Sequence, residues 1–373
     1  MERISVKSNV ISEINNNFVK ETLFEHGPVS KPEISKITKL SLPTVNKIMD
    51  ILCAEGYARI HSIGQSSGGR KPNFYVVNEE SGYICIVFIQ GMKIISQLCS
   101  ITGVTVSSES HVFESFEGVD VPETIVDLVN RAISGYEKEC LKIIGIGIPG
   151  IASEDGTITG VPTIPQLDGV DLKSKIEGVF KIPVYVENDV NMSAVGISFA
   201  NKDYANIVYA YIGKGIGMGI VLDGKLYKGA GFLAGEVGKM VTDKYVKNKN
   251  MLTSEVLEMF NTFFPDGTGF SRERVNEIFT NPGKLKGSTN RIAHLSTLLI
   301  INAFCFLDPN MVFLDGDLMC EPLLNSIKEG LIDYLGDSYA DKVIFEHNPG
   351  IGVYGAKKYC MALVNKSPIF MRA

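Results

Sequence analysis

Gly27-Pro28-Val29-Ser30-Lys31-Pro32-Glu33-Ile34, followed shortly by Leu40-Ser41-Leu42-Pro43-Thr44-Val45, decides how this chain begins to fold. Ser30 and Glu33 have the S-x-x-E spacing of a capping box, in which hydroxyl and carboxylate satisfy open backbone donors at a helix start; Pro32 is tolerated in a first turn. The spacing predicts a short helix through Thr38, a tight turn, and a further helix capped by Ser41. Val45, Ile48, Met49 and Leu52 then fall at i, i+3, i+4 and i+7 as a core-facing stripe, leaving Pro43, Thr44, Asn46, Lys47 and Asp50 outward. Upstream, Phe18, Val19, Thr22 and Leu23 predict a helix from Asn15 to Gly27. Downstream, Ala58 to Ile63 and Phe74 to Val77 can pair as the strands of a wing around a Gly/Ser-rich tip, Gln65 to Pro72.

Two short helices around a tight turn, the second opening with small and polar side chains, place a helix N-terminus in the major groove of DNA. The candidate contacts are Ser41, Pro43, Thr44, Asn46 and Lys47 on that helix and Gly69, Arg70 and Lys71 on the wing. The wing tip reads either as a flexible loop or as a cationic finger, narrow enough for Arg70 to enter an A·T-rich minor groove. Charge agrees with a DNA-facing head. Residues 1–77 carry ten Lys/Arg against seven Asp/Glu, net +3, whereas 78–373 carry 26 against 35, net −9.

The 373 residues, 45% hydrophobic and 21% charged, predict two or three globular domains. No run approaches the roughly 20 uninterrupted apolar residues of a membrane span, and Met1 to Ser5 lacks the apolar core of a secretory signal, so a cytoplasmic protein with no membrane partner is expected. The cysteines, Cys53, Cys85, Cys99, Cys140, Cys305, Cys320 and Cys360, are scattered among apolar neighbours, the pattern of reduced, buried thiols. From about Ser81 the pattern changes. Ile84–Ile89, Lys142–Ile148, Val184–Val186, Ile207–Ile212 and Met311–Leu314 read as buried strands with helical stretches between several of them, an α/β body in two lobes.

Residues 15–77 resemble the winged-helix head of the ROK family (repressors, open reading frames and sugar kinases), with its G-P-V-S-K-x-E-I start at Gly27, L-S-x-x-T-V at Leu40 and S-S-G-G-R-K-P at Ser66. The turn departs from the family at Lys39, where glycine is usual. The resemblance continues over nearly the whole body. It implies a winged helix-turn-helix at 1–77, followed at 78–373 by a two-lobed, actin-like sugar-kinase fold that senses a ligand and dimerises.

Kinases of the family open this body with a D-x-G-G-T phosphate loop; the matching residues are Phe88-Ile89-Gln90-Gly91-Met92, so the Asp, one Gly and the Thr are lost. Bulky Phe88 and Met92 would also occupy space a nucleotide needs. A second glycine-rich loop persists at Gly213 to Gly219, and Leu314-Asp315-Gly316 stands where the family often has Gly-Gly near the adenosine. The same glycines serve tight strand-to-strand turns. On the sugar side Gly147-Ile148-Pro149-Gly150 matches G-x-P-G, Glu187-Asn188-Asp189-Val190-Asn191 matches E-N-D-x-N, and Gly229 to Lys239 resembles G-x-x-G-x-x-G-E-V-G-H with Lys239 in place of His.

The resemblance thus assigns ligand binding to Gly150, Asn188, Asp189, Glu236 and Lys239, with no catalytic residue, no ATP and no metal. Asp189 matches the kinase general base and Glu236 a sugar-contacting carboxylate; Lys239 would pair with Glu236 or face the ligand. The alternative for Asp189 is a helix cap. Many members hold a structural zinc through that His and a C-x-C-G-x-x-G-C cluster. Met240 to Met259 contains neither Cys nor His.

The expected function is a DNA-binding regulator of carbohydrate genes, acting as a homodimer on a palindromic, A·T-rich operator under control of a sugar, with xylose, glucose and N-acetylglucosamine derivatives open. The alternatives are a regulator that has lost its sugar and an active kinase with an appended head. Elemental analysis of the purified, dialysed protein is expected to find no stoichiometric zinc; about one zinc per chain would overturn this and point to the dispersed His, Asp and Glu as ligands.

Overall fold

The computed structural model describes residues 2–63, 71–161, 163–246 and 249–365. The chain packs as two compact units, one built from Met1–Ile146, Leu172–Val186 and the chain from Lys357 onward, the other from Gly147–Asp171 and Glu187–Ala356.

The first unit opens with α1 (Glu2–His26), β1 (Val29–Ser30), α2 (Lys31–Thr38), α3 (Leu42–Ala54), β2 (Ala58–Ile63) and β3 (Asn73–Val77). The strands form a sheet in the order β1-β3-β2, with Val29 opposite Tyr75 and Ala58 opposite Val77. Val19, Leu23, Ile34, Val45, Met49 and Leu52 are all buried, so the i, i+3, i+4, i+7 stripe is the inner face of α3. The capping box is in place. Ser30 donates from its backbone N–H at 2.8 Å and its hydroxyl at 2.7 Å to Glu33 Oε2, which holds that carboxyl below its usual range.

Two details differ from expectation. The first helix starts at Glu2, not near Asn15. No Gly or Pro interrupts residues 2–14, so the backbone continues helical, but Ile11 and Ile14 are 57% and 46% exposed and contribute no buried stripe from which the start could be read. Lys39 adopts the left-handed conformation, φ 60° and ψ 15°, that glycine would take without cost. Hydroxyls secure this turn: Ser35 donates to the Leu40 carbonyl at 2.6 Å, and Thr38 accepts from Leu40 N at 3.3 Å.

Most of a sheet in the order β10-β7-β4-β5-β6 belongs to the same unit, from β4 (Tyr83–Gln90), β5 (Lys93–Ser100), β6 (Thr105–Val112), β7 (Leu141–Ile148) and β10 (Val184–Asn188), the last two residues of β7 and of β10 falling in the second unit, with α4 (Val121–Ala132) and α5 (Leu172–Phe180). The strands β4 and β5 are antiparallel, with Gln90 opposite Lys93, so Gly91-Met92 is a two-residue turn. Phe88 is buried in β4, while Met92 is 39% exposed at the turn.

In the second unit a short ladder of β8 (Ile151–Ala152) and β9 (Ile158–Thr159) precedes α6 (Asp189–Ala200). Its main sheet has the order β13-β12-β11-β16-β17, from β11 (Ile207–Ile212), β12 (Ile216–Leu222), β13 (Lys225–Leu226), β16 (Met311–Asp315) and β17 (Val343–Phe345). Strand β11 runs antiparallel to β12 and parallel to β16. The hairpin β14 (Val241–Val246) and β15 (Lys249–Met251) leads into α7 (Leu252–Phe263), α8 (Arg272–Thr280) and α9 (Lys286–Leu307), with α10 (Glu321–Leu335), α11 (Asp337–Ala340) and α12 (Ile351–Asn365) after β16. Length and composition would let α9 cross a membrane. Its Ile292, Leu295, Leu299, Ile300 and Phe304 instead share one core with Leu323, Leu324, Ile327 and Leu331 of α10, while Cys305 lies exposed on its outer side.

Lys39→Gly is expected to stabilise the head by about 1 kcal/mol, since a side chain in left-handed backbone costs about that much. The midpoint of denaturant unfolding of the full chain should rise with unchanged slope; an unchanged or lower midpoint would show that the turn carries no strain.

Candidate functional site

The first candidate site is the start of α3. Ser41 caps it, accepting from Thr44 N at 3.3 Å and sharing a 2.8 Å hydrogen bond with the Thr44 hydroxyl. This leaves Ser41, Pro43 and Lys47 exposed and Thr44 and Asn46 half-buried at a helix N-terminus whose dipole favours phosphate. Behind them, Lys31 of α2 pairs with Asp50 of α3 at 2.6 Å, fixing the two helices across the turn. Leu42, 42% exposed within the same first turn, is a residue the sequence reading passed over. Its signal was an apolar side chain outside the buried stripe, the kind that meets a thymine methyl group. On the wing Lys71 is exposed, and Gly69 and Arg70 lie outside the described residues.

The second site lies where β10 turns into α6. Asn188 is the helix cap: its Oδ1 accepts from Asn191 N and its Nδ2 donates to the Gly150 carbonyl, both at 2.9 Å. Gly150 and Asn188 are therefore joined directly, and the cap next to Asp189 is its neighbour's work. Asp189 is the first helical residue. Its Oδ1 accepts from Val190 N at 2.9 Å, and Ser193 Oγ donates to its carbonyl at 3.0 Å.

By accessible surface Asp189 is only partly buried, yet protein surrounds it densely. Nearby low-dielectric matter penalises a charge even where part of the group reaches the surface. Desolvation first, and then the nearby Glu236 carboxylate, push its carboxyl up to about 7 against the pull of its backbone hydrogen bonds.

Glu187, just before the cap, was not among the predicted residues although it stands within the quoted E-N-D-x-N run. Its side chain is 2% exposed; Oε1 accepts from Asn188 N at 3.0 Å and Asn191 Nδ2 at 2.9 Å, and Oε2 faces Lys228 Nζ at 3.3 Å. Lys228 opens the loop that carries Glu236, its carbonyl accepting from Ala234 N at 3.1 Å. That loop is pinned to β12 at Gly235, which has φ +86° and accepts from Met218 N at 2.9 Å; a Cβ there would stand 1.8 Å from the Met218 carbonyl oxygen. Lys239 forms an ion pair with Glu236 Oε2, the first of its two expected roles.

Lys239 stands where the quoted motif has His, and residues 240–259 contain no Cys or His.

The glycine-rich segment at Gly213 to Gly215 is the turn of the β11–β12 hairpin, with Ile212 opposite Ile216. Next to it Asp315 is buried, accepting from Gly316 N at 2.7 Å, sharing a 2.9 Å contact with His347 Nδ1 and taking the Tyr209 hydroxyl at 3.3 Å. A separate recess of about 560 Å³ between β6 and α4, lined by His111, Asp127, Asn130 and Arg131, contains none of the predicted residues.

The ROK family profile matches residues 102–255, the segment that holds the second site. Over that segment the chain resembles the ROK family. It is 30% identical over 237 residues to the xylose repressor of Bacillus spizizenii, an alignment covering 62% of each chain. To the xylose repressor of Lactiplantibacillus pentosus it is 24% identical over 355 residues, 90% of each. A solved structure described as a ROK family transcriptional regulator, homologue of the E. coli MLC protein, superposes with a TM-score of 0.74 at 19% identity, covering 95% of this chain and 97% of that one, which establishes the shared fold.

Because the folded protein raises the Asp189 pKa from 3.8 to about 7, the native state holds a proton there that the unfolded chain has released across this interval. Stability from this group is therefore fully present below about pH 4 and is lost as pH rises through 7. Thermal unfolding of the wild type against Asp189→Asn should show this component only in the wild type; parallel pH profiles would contradict the raised pKa.

Proposed function

We infer that the protein is a transcriptional repressor of carbohydrate-utilisation genes, binding as a homodimer to a palindromic, A·T-rich operator and controlled by a sugar held without phosphorylation. The observation that carries this reading is a division within one chain. The sugar-side residues Gly150, Asn188, Asp189 and Glu236 form a hydrogen-bonded and electrostatically connected group. At the phosphate-loop positions, by contrast, Phe88 is buried in a strand and Gly91-Met92 makes a hairpin turn. Phosphoryl transfer requires groups that position and neutralise the phosphates, and of these the motif positions keep only Gly91, so the reading excludes ATP turnover. The capped α3 supplies the DNA reader, with Arg70 entering the minor groove. D-xylose is the first ligand to try because the relatives matched over 62% and over 90% of the chain are named xylose repressors. A cytoplasmic location follows from a role on DNA.

One observation favours a second reading. The Lys239 ammonium already engages Glu236, the carboxylate that matches a sugar contact, as it would in a regulator whose ligand is not a neutral sugar.

Calorimetry across pentoses, hexoses, amino sugars and their phosphates, paired with operator gel shifts and an ATP-consumption control, tests both. D-xylose is expected to bind, Asp189→Asn to weaken it at least about tenfold, the loss of one charge-assisted hydrogen bond, and Arg70→Ala to cost about 1–3 kcal/mol in operator affinity at fixed salt. ATP-dependent phosphorylation would establish a kinase; preference for an anionic sugar, or binding of none, would favour the second reading.

A further inference from the structure

The last helix, α12, is anchored at both ends. Its first turns lie against α6 within the second unit: a Cβ at Gly355 would stand 1.8 Å from the Met192 carbonyl oxygen and 2.7 Å from Gly196 N, and a Cβ at Gly196 would stand 2.3 Å from the Ile351 carbonyl oxygen. The two backbones therefore touch with no side chain between them to absorb a displacement. Helix α6 is the one that begins at Asp189 and is capped by Asn188.

The last residue of α12, Asn365, is fully buried within the first unit. Its Nδ2 donates to the Ile101 carbonyl at 3.0 Å and the Met361 carbonyl at 2.8 Å, and its Oδ1 accepts from the Tyr57 hydroxyl at 2.7 Å. Tyr57 is the last of the three residues between α3 and the wing strand β2. Its backbone carbonyl accepts from Asn78 N at 2.7 Å, and the Lys20 ammonium of α1 lies 4.8 Å from its ring centre. Near the same joint Lys357 Nζ donates to the Gly103 carbonyl at 3.2 Å. A helix end that only filled a core would be served by leucine, because a buried amide is costly unless its partners stand in place. Here both Nδ2 protons and Oδ1 are engaged, so the joint has a defined geometry.

We propose that Asn365 is a positioning residue that carries the state of the α6 N-terminus, through α12, to the DNA-reading head by holding Tyr57. The inference rests on the ligand reading above and adds the route from ligand to head. A shift of α6 on ligand binding is passed to α12 at the Gly196–Gly355 contact. At Asn365 it meets directional hydrogen bonds that α3 and the wing must follow.

The test uses the full-length protein, D-xylose and an operator duplex selected from random sequence by the wild type. Tyr57→Phe removes only the hydroxyl that reaches Asn365 and keeps the ring. The variant should bind D-xylose within about twofold of wild type and free operator within about threefold, while the xylose-induced change in operator affinity falls at least about fivefold, the lower range of allosteric couplings. An undiminished xylose response in Tyr57→Phe overturns the proposal.

Asn365→Leu, which fills the space without the amide, should reproduce the loss. A variant of either kind that keeps normal xylose binding and the full response overturns it as well. If the wild type itself binds no xylose, the ligand reading fails by that measurement alone. Hydrogen exchange then decides the joint: in Tyr57→Phe, backbone amides 57–63, 73–77 and 101–105 losing protection together supports it, and unchanged protection overturns it.

Discussion

The buried Glu187 carboxylate is the constraint on which the second unit's site depends. A charge so enclosed is tolerated only when partners surround it, and Glu187 has the Asn188 backbone N–H, the Asn191 amide and the Lys228 ammonium. The first two hold the turn from strand to helix that presents Asp189; the third ties in the loop that brings Glu236 close. Loss of the ammonium alone would leave an uncompensated charge, a defect of about 3–5 kcal/mol in buried pairs generally. The carboxylate that holds the site is thus one that need not touch a ligand.

Much of the head was legible in the sequence because its signals are local. A capping box, a Ser cap and an i, i+3, i+4, i+7 stripe each involve residues within two turns of one another, and α2, α3 and the wing strands formed where those signals lay. Five buried strands of the body, β4, β7, β10, β11 and β16, were legible as apolar runs, whereas β5 and β12 were not read as strands. The exposed β6 was not legible either: it reads Thr105-Val106-Ser107-Ser108-Glu109-Ser110-His111-Val112 and is solvent-facing along nearly its whole length, so no apolar run marked it. The later part of the stretch missed in α1 escaped for a similar reason, since Ile11 and Ile14 face outward.

Within the candidate site, the residue types were legible through short motifs, and their roles were less so. Asn188 and Asp189 are neighbours that can each cap a helix through a side-chain oxygen, yet the helix is capped by Asn188, leaving Asp189 to be desolvated. Which of two adjacent polar residues takes the cap depends on backbone angles at a single position. Glu187, Lys228 and the Tyr57–Asn365 joint join residues far apart in sequence, and no local pattern announces such pairs.

The thiols offer a practical opening. Cys85, Cys99, Cys320 and Cys360 are buried, and burial raises their pKa values, Cys85 to about 12 and Cys320 to about 11; Cys53 and Cys140 are half-covered. Cys305 alone among the seven is exposed. A maleimide dye, which consumes thiolate, should therefore attach first to the outer side of α9 in the unmodified protein. A single fluorophore on the second unit would then be available for distance measurements to labelled DNA, without any cysteine having to be removed.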